Sequence, residues 1–213
     1  MKTDDLIEVL SRGEPPINRR RRMMVWMLAL AAGMCGTFVV MVTVLGMNPD
    51  LAMLFQNVWF WVRFAFIFSV GALAAWVFAL LGKPGREARA PTAWIALPFA
   101  LVAALAAAMI GMAPSDERAD MLLGVSWNVC SRNIALMAIP VFVASVWVAR
   151  QFAPTRLRLT GAALGLFSGA VGAFAYSLHC PELSPPFLAV WYAIGMLIPA
   201  ALGALLGKRL LAW

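Results

Sequence analysis

Charge and reactive side chains are scarce in this sequence. Only 13% of its 213 residues are charged, against roughly a quarter in an average soluble domain. Histidine occurs once and cysteine three times, too little material for a multi-ligand metal centre or an acid–base active site. There is no Cys-x-x-Cys, no P-loop, no glycine-rich dinucleotide loop and no His-Glu-x-x-His. The acidic residues all lie outside the long apolar runs, whereas intramembrane acids are the usual mark of a transport pathway. These absences argue against an enzyme, a resident metal or cofactor, and an ion-coupled transporter.

Apolar side chains are what the chain has in excess. They make up 63% of it, and the mean hydropathy is +0.84. No soluble fold of this size has enough interior to hide them. Crossing the ~30 Å hydrocarbon layer takes roughly 20 apolar residues per helix. Six windows qualify: Met23–Leu45, Trp59–Leu81, Thr92–Ala113, Trp127–Ala149, Leu159–Leu178 and Phe187–Leu206. Backbone groups inside a bilayer must pair within their own segment, which predicts an all-α, polytopic protein of six transmembrane helices. Arg63 and Arg132 fall near the ends of spans two and four, where a long side chain snorkels to the headgroups. Trp26, Trp59, Trp61, Trp94, Trp127, Trp147 and Trp191 mark span ends as an aromatic belt. Met23–Leu45 is too long for a signal-peptide core and lacks a small-residue cleavage site, so it reads as a retained helix.

The net charge of +7 belongs to topology rather than to a nucleic-acid surface. Fourteen Lys and Arg residues share one side: Lys2, Arg12, Arg19 to Arg22, Lys83, Arg86, Arg89, Arg150, Arg156, Arg158, Lys208 and Arg209. The other side keeps only Arg63, Arg118 and Arg132. The asymmetry predicts cytoplasmic N- and C-termini. Pro98, Pro140 and Pro199 lie inside spans three, four and six and read as ordinary kinks. Gly161, Gly165 and Gly169, with Gly203 and Gly207, form small-residue repeats that let helices approach closely within one chain.

The chain divides into a tail, residues 1–22, and a six-helix transmembrane domain, residues 23–213. Thr3–Ser11 is a candidate short helix, with Thr3 as cap, Asp4 and Asp5 in the first turn, and Leu6, Ile7 and Leu10 as an apolar stripe. Two readings are open for it: a disordered tail carrying a topology signal, or a linear motif that folds into a partner's groove. Arg19, Arg20, Arg21 and Arg22 sit against the membrane surface, where anionic lipids attract each charge by roughly 1 kcal/mol.

Cys130 and Cys180 carry a geometric signal. Spans four and five are antiparallel neighbours, and each cysteine lies about 20 residues from their shared loop, hence about 30 Å above it. Both reach the same outer interface. Three readings are open: inert cysteines, a structural disulfide, or a redox- or metal-responsive thiol pair, with His179 and Glu182 as possible extra ligands. Arg132 does not activate Cys130, because i and i+2 do not share a helix face. Cys35 is expected to be a small buried mid-span residue.

Three stretches resemble the NrsF family of six-span bacterial inner-membrane anti-sigma factors, which restrain extracytoplasmic-function sigma factors. They are Met1-Lys2-Thr3-Asp4-Asp5-Leu6-Ile7; Ser126-Trp127-x2-Cys130 with Ile134-Ala135-Leu136 and Pro140; and Leu178-His179-Cys180-Pro181-Glu182 with Pro186-Phe187, Val190-Trp191-Tyr192, Gly195-Met196 and Leu210-x2-Trp213. The resemblance implies that the tail binds a sigma factor and that the outer cysteines, Cys130 and Cys180, take part in sensing. The mechanism expected is non-enzymatic: a change at the thiols repacks spans four and five, with Gly161, Gly165 and Gly169 allowing them to slide. The competing class is a small membrane thiol-redox or metal-handling protein with a non-functional tail.

Overall fold

Apolar runs of this length have one way to satisfy their backbone in hydrocarbon, and the chain takes it six times. The computed structural model describes residues 19–82, 89–152 and 154–212. Among them there is no strand, and six helices are long and apolar enough to cross a membrane. Span one is Arg19–Val40 extended by a π-turn, Met41–Leu45; span two is Val58–Leu81. Span three runs Thr92–Met112 with a break at Ile95. Span four joins Arg118–Leu123, Trp127–Met137 and Ile139–Ala149; span five is Leu157–Ser177. Span six joins Pro185–Phe187, a second π-turn Leu188–Tyr192, and Ala193–Leu210. The candidate tail helix, with Asp4, Asp5, Leu6, Ile7 and Leu10, lies outside the described residues. Arg19 opens the span-one helix, and Arg20, Arg21 and Arg22 stand exposed on its first turns.

Span five is the hub. In its most apolar stretch 72% of residues are buried, against 17% for spans one and three. Its glycines explain why. Gly161 abuts the backbone of Gly203, and Gly165 abuts Pro199. A methyl group at Gly169 would stand 2.6 Å from the Met196 carbonyl oxygen. Close backbone contact is the main attraction available between helices in lipid, which offers no hydrophobic drive for association. The stripe therefore locks span five to span six, correcting the expected sliding face toward span four. Span four meets span five at another glycine: a methyl group at Gly172 would stand 2.6 Å from the Ile134 carbonyl oxygen. Span one leans on span four, with Gly33 and Gly36 against Ala144 and Pro140.

The prolines interrupt their helices little, and Pro98 lies within Ala96–Met112. Pro140 follows a break at Ala138, whose amide still donates to Ile134, and Pro199 sits inside an unbroken helix. Large apolar side chains such as Met27, Leu28, Phe68, Leu101, Val143 and Leu205 point outward, which is how a helical bundle meets lipid. Cys35 joins them. It is exposed on the outer face of span one, not buried as expected.

The two ends of the bundle differ in composition. At one, the Trp26 indole donates to Gln151 and packs at a tilt against Phe152, and Arg150 donates to the Leu210 carbonyl; the exposed residues Arg20 to Arg22, Arg156, Arg158, Lys208 and Arg209 lie at this end. At the other, the Asn48 amide donates to Leu178, Ser184 donates to the Met121 carbonyl, and the Trp191 indole donates to Leu122. Those contacts draw the three loops of that end into one cap.

Candidate functional site

Beneath that cap lies a buried polar site built from spans two, four, five and six. Gly124, at a positive φ of 54°, turns the chain between the first two helices of span four, and Ser126 starts the helix that carries Cys130 one turn later. Span five ends differently. The Leu178, His179 and Cys180 amides fall back on the Ala175 and Tyr176 carbonyls, and Pro181 then prevents continuation of the helix. Cys180 is thus held just outside the last turn. Its thiol faces that of Cys130, and both are completely buried. The Ser126 hydroxyl lies 3.7 Å from the Cys180 sulfur. The buried rings of Tyr176 and Tyr192 wall the site, 6.1 Å apart at their centroids.

The fourth contribution comes from span two and is a full charge. Arg63 does not snorkel: it is completely buried. Its guanidinium donates to the carbonyls of Ser177 (2.8 Å), Cys180 (3.0 Å) and Glu182 (2.8 Å), while its carbon lies 5.0 Å from the Phe60 ring centre. Its Nε and the Tyr192 hydroxyl are buried without a hydrogen-bond partner. Among the described residues its polar partners are three carbonyl oxygens and no carboxylate.

Cys180 is consequently unlike an ordinary thiol. Hydrogen bonding from Cys130 holds it below the usual thiol range, helped by the Glu182 backbone, Ser126 and the charge of Arg63, against burial, which works the other way. The two neighbours suggested as extra ligands are engaged elsewhere. A His179 ring nitrogen lies 3.0 Å from the Gly46 carbonyl, and the Glu182 carboxylate accepts from the Val125 amide at 2.7 Å. Among the described residues no three His, Cys, Asp or Glu side chains gather as they would around a metal ion.

Cys130 and Cys180, read from equal height alone, are brought together; Arg63, Tyr176 and Tyr192 were missed. Arg63 had a legible signal, because an ionisable residue inside a span is a functional candidate by default. The tyrosines had none, since only tertiary packing turns them inward.

Comparison with known proteins places this sequence in a family. The family model described as negative regulator of sigma F matches residues 10–213. Over the full length of both chains, the sequence is 38% identical to the probable anti-sigma-F factor NrsF of Azospira oryzae and 36% identical to the anti-sigma-F factor NrsF of Caulobacter vibrioides. No solved structure matches the chain.

Proposed function

The chain belongs to the NrsF family of negative regulators of sigma F, and from that premise we propose that it is an anti-sigma factor of the bacterial inner membrane. The observation that carries the reading is likeness to two anti-sigma-F factors from end to end, the tail included. The partner is an extracytoplasmic-function sigma factor, held at the membrane away from RNA polymerase. The cytoplasmic tail binds it, with Leu6, Ile7 and Leu10 as apolar anchors and Asp4 and Asp5 facing a basic surface. The basic end of the bundle, from Arg20–Arg22 to Lys208–Arg209, is the cytoplasmic one by the distribution of positive charge. The thiol end then faces the periplasm, an oxidising compartment.

Cys130 and Cys180 are the sensing thiols in this reading, and a two-electron oxidant of the peroxide class is the signal. The Cys180 thiolate attacks a peroxide oxygen, the O–O bond breaks, and the departing oxygen leaves as water or an alcohol after taking up a proton. Cys130 sulfur then attacks the resulting sulfenic acid, forming the S–S bond and releasing water. Two thiols lose two electrons and two protons, and the peroxide is reduced by the same two electrons. The facing thiols and the lowered Cys180 support this order of events.

Co-purification from native membranes tests the partner. A sigma factor should elute with the wild-type chain and be lost from Leu6→Asp and Ile7→Asp at unchanged membrane abundance, because a charge cannot enter an apolar groove. Undiminished capture by a chain lacking residues 1–16 overturns the assignment of the tail.

A further inference from the structure

Arg63 is a cation buried among neutral oxygens, and that arrangement asks for an explanation. A buried charge left without a counter-charge is costly, and breaking a buried pair typically costs several kcal/mol because the remaining ion is uncompensated. Three carbonyl contacts and the ring faces of Phe60 and Tyr192, 5.0 and 6.0 Å from the guanidinium carbon, offset part of this cost. An anion beside the guanidinium offsets more of it. The site holds one carboxylate nearby, that of Glu182, but it is turned to the Val125 amide, while Arg63 takes the Glu182 main-chain carbonyl. His179 is turned to Gly46. The remaining titratable groups facing Cys180 are Cys130 from span four, Tyr176 from span five and Tyr192 from span six. Among all of them, the group best placed to carry a negative charge beside the guanidinium is the sulfur of Cys180, whose own carbonyl Arg63 holds.

We infer that Arg63 is the positioning residue of the thiol pair: its guanidinium clamps the carbonyls of Ser177, Cys180 and Glu182, so that the Cys180 sulfur faces Cys130, and supplies the counter-charge of a Cys180 thiolate. The inference rests on the thiol pair being the reactive site proposed above. The planar fork suits the task, since one Nη reaches two carbonyls while the other reaches the last turn of span five. It also ties span two to the sulfur chemistry. When the pair closes to a disulfide, the thiolate charge is gone and the same cation is left with neutral carbonyls and ring faces. Oxidised and reduced protein then differ in the free energy of seating Arg63, which is the differential interaction a conformational response needs.

The test reads the thiols themselves and does not depend on sigma-factor release. Membrane vesicles carrying the full chain in a Cys35→Ser background are treated with an alkylating reagent across a pH series, and Cys180 labelling is followed by mass. With Arg63→Gln, which removes the charge, the midpoint of the profile should move upward by about one pH unit, a tenfold loss of thiolate at a pH well below the midpoint. Arg63→Lys keeps the charge and gives up the fork. It should accumulate even if the glutamine variant does not, and should form the Cys130–Cys180 disulfide with peroxide about tenfold more slowly than wild type. An alkylation midpoint in Arg63→Gln that coincides with wild type overturns the inference, as does an undiminished rate of disulfide formation in Arg63→Lys. If wild-type thiols titrate and oxidise as expected yet release nothing, the sensing role fails while the role of Arg63 stands.

Discussion

Arg63, Cys130 and Cys180 show how little of a residue's chemistry is carried by its identity. Arg63 and Arg132 both lie near a span end, yet Arg132 is exposed and Arg63 completely buried. Among the cysteines, Cys35 faces outward on span one while the other two face each other. Cys130→Ser and Cys180→Ser should each leave abundance and repression intact but abolish the response to peroxide. The double variant should be no worse than either single one, because losing one sulfur already disables the pair. A peroxide response of wild-type size in the double variant, measured by transcription of sigma-dependent promoters, would remove the sensing role. The direction of the Cys180 shift adds a pH dependence. A lowered thiol stays ionised at pH values where an ordinary thiol is protonated, so Cys180 alkylation should persist on acidification and slow only well below the usual thiol range. In Cys130→Ala the largest contributor to that lowering is gone, and the profile should move upward.

At the scale of elements, the spans are distinguished by what they lack. Span five is rich in glycine and alanine, lets span six approach to backbone contact, and is the most buried of the six. A Gly161→Val or Gly203→Val substitution inserts a branched side chain where backbone already lies, and overpacking of this kind costs about 1–3 kcal/mol or more. Either should reduce the folded fraction recovered in mild detergent, while Gly111→Val, where nothing lies within 4 Å of the added carbon, should not. Sequence spacing revealed that these glycines sit on one face. It did not reveal which helix that face meets, because three neighbours of similar length and hydropathy compete for it. Span six takes the face because its own small residues, Gly203 and Gly207, fall in register with it. The π-turn at Leu188–Tyr192 was equally hidden. It is secured by tertiary bonds, with the Ser131 hydroxyl donating to the Trp191 carbonyl at 2.7 Å and the Trp191 indole to Leu122.

For the whole molecule, the proposed topology makes a direct forecast. Reporter fusions after Arg89, Arg156 and Trp213 should report cytoplasm, and fusions near Asp50, Asp116 and Glu182 should report periplasm. Moving the positive charge by replacing Arg19 to Arg22 with glutamine should loosen that orientation, read as mixed reporter signals, since charge bias within a short stretch of a span end sets topology. Class and span number were determined by the sequence alone, for a physical reason: in lipid every helix must satisfy its own backbone, so length and hydropathy are local properties that decide the outcome without reference to neighbours. Span limits were not fixed in the same way: span four begins at Arg118 rather than Trp127, and span six ends at Leu210 rather than Leu206. The equal height of Cys130 and Cys180 was legible on the same footing, because the rise of a helix is fixed. Only the tertiary structure decided lateral position: that the two thiols meet, that span five is buried against span six, and that Arg63 turns inward to hold three carbonyls rather than outward to the headgroups. Rotation about a helix axis changes neither hydropathy nor length, so which face turns inward is settled by packing and by the search of each buried polar group for a partner.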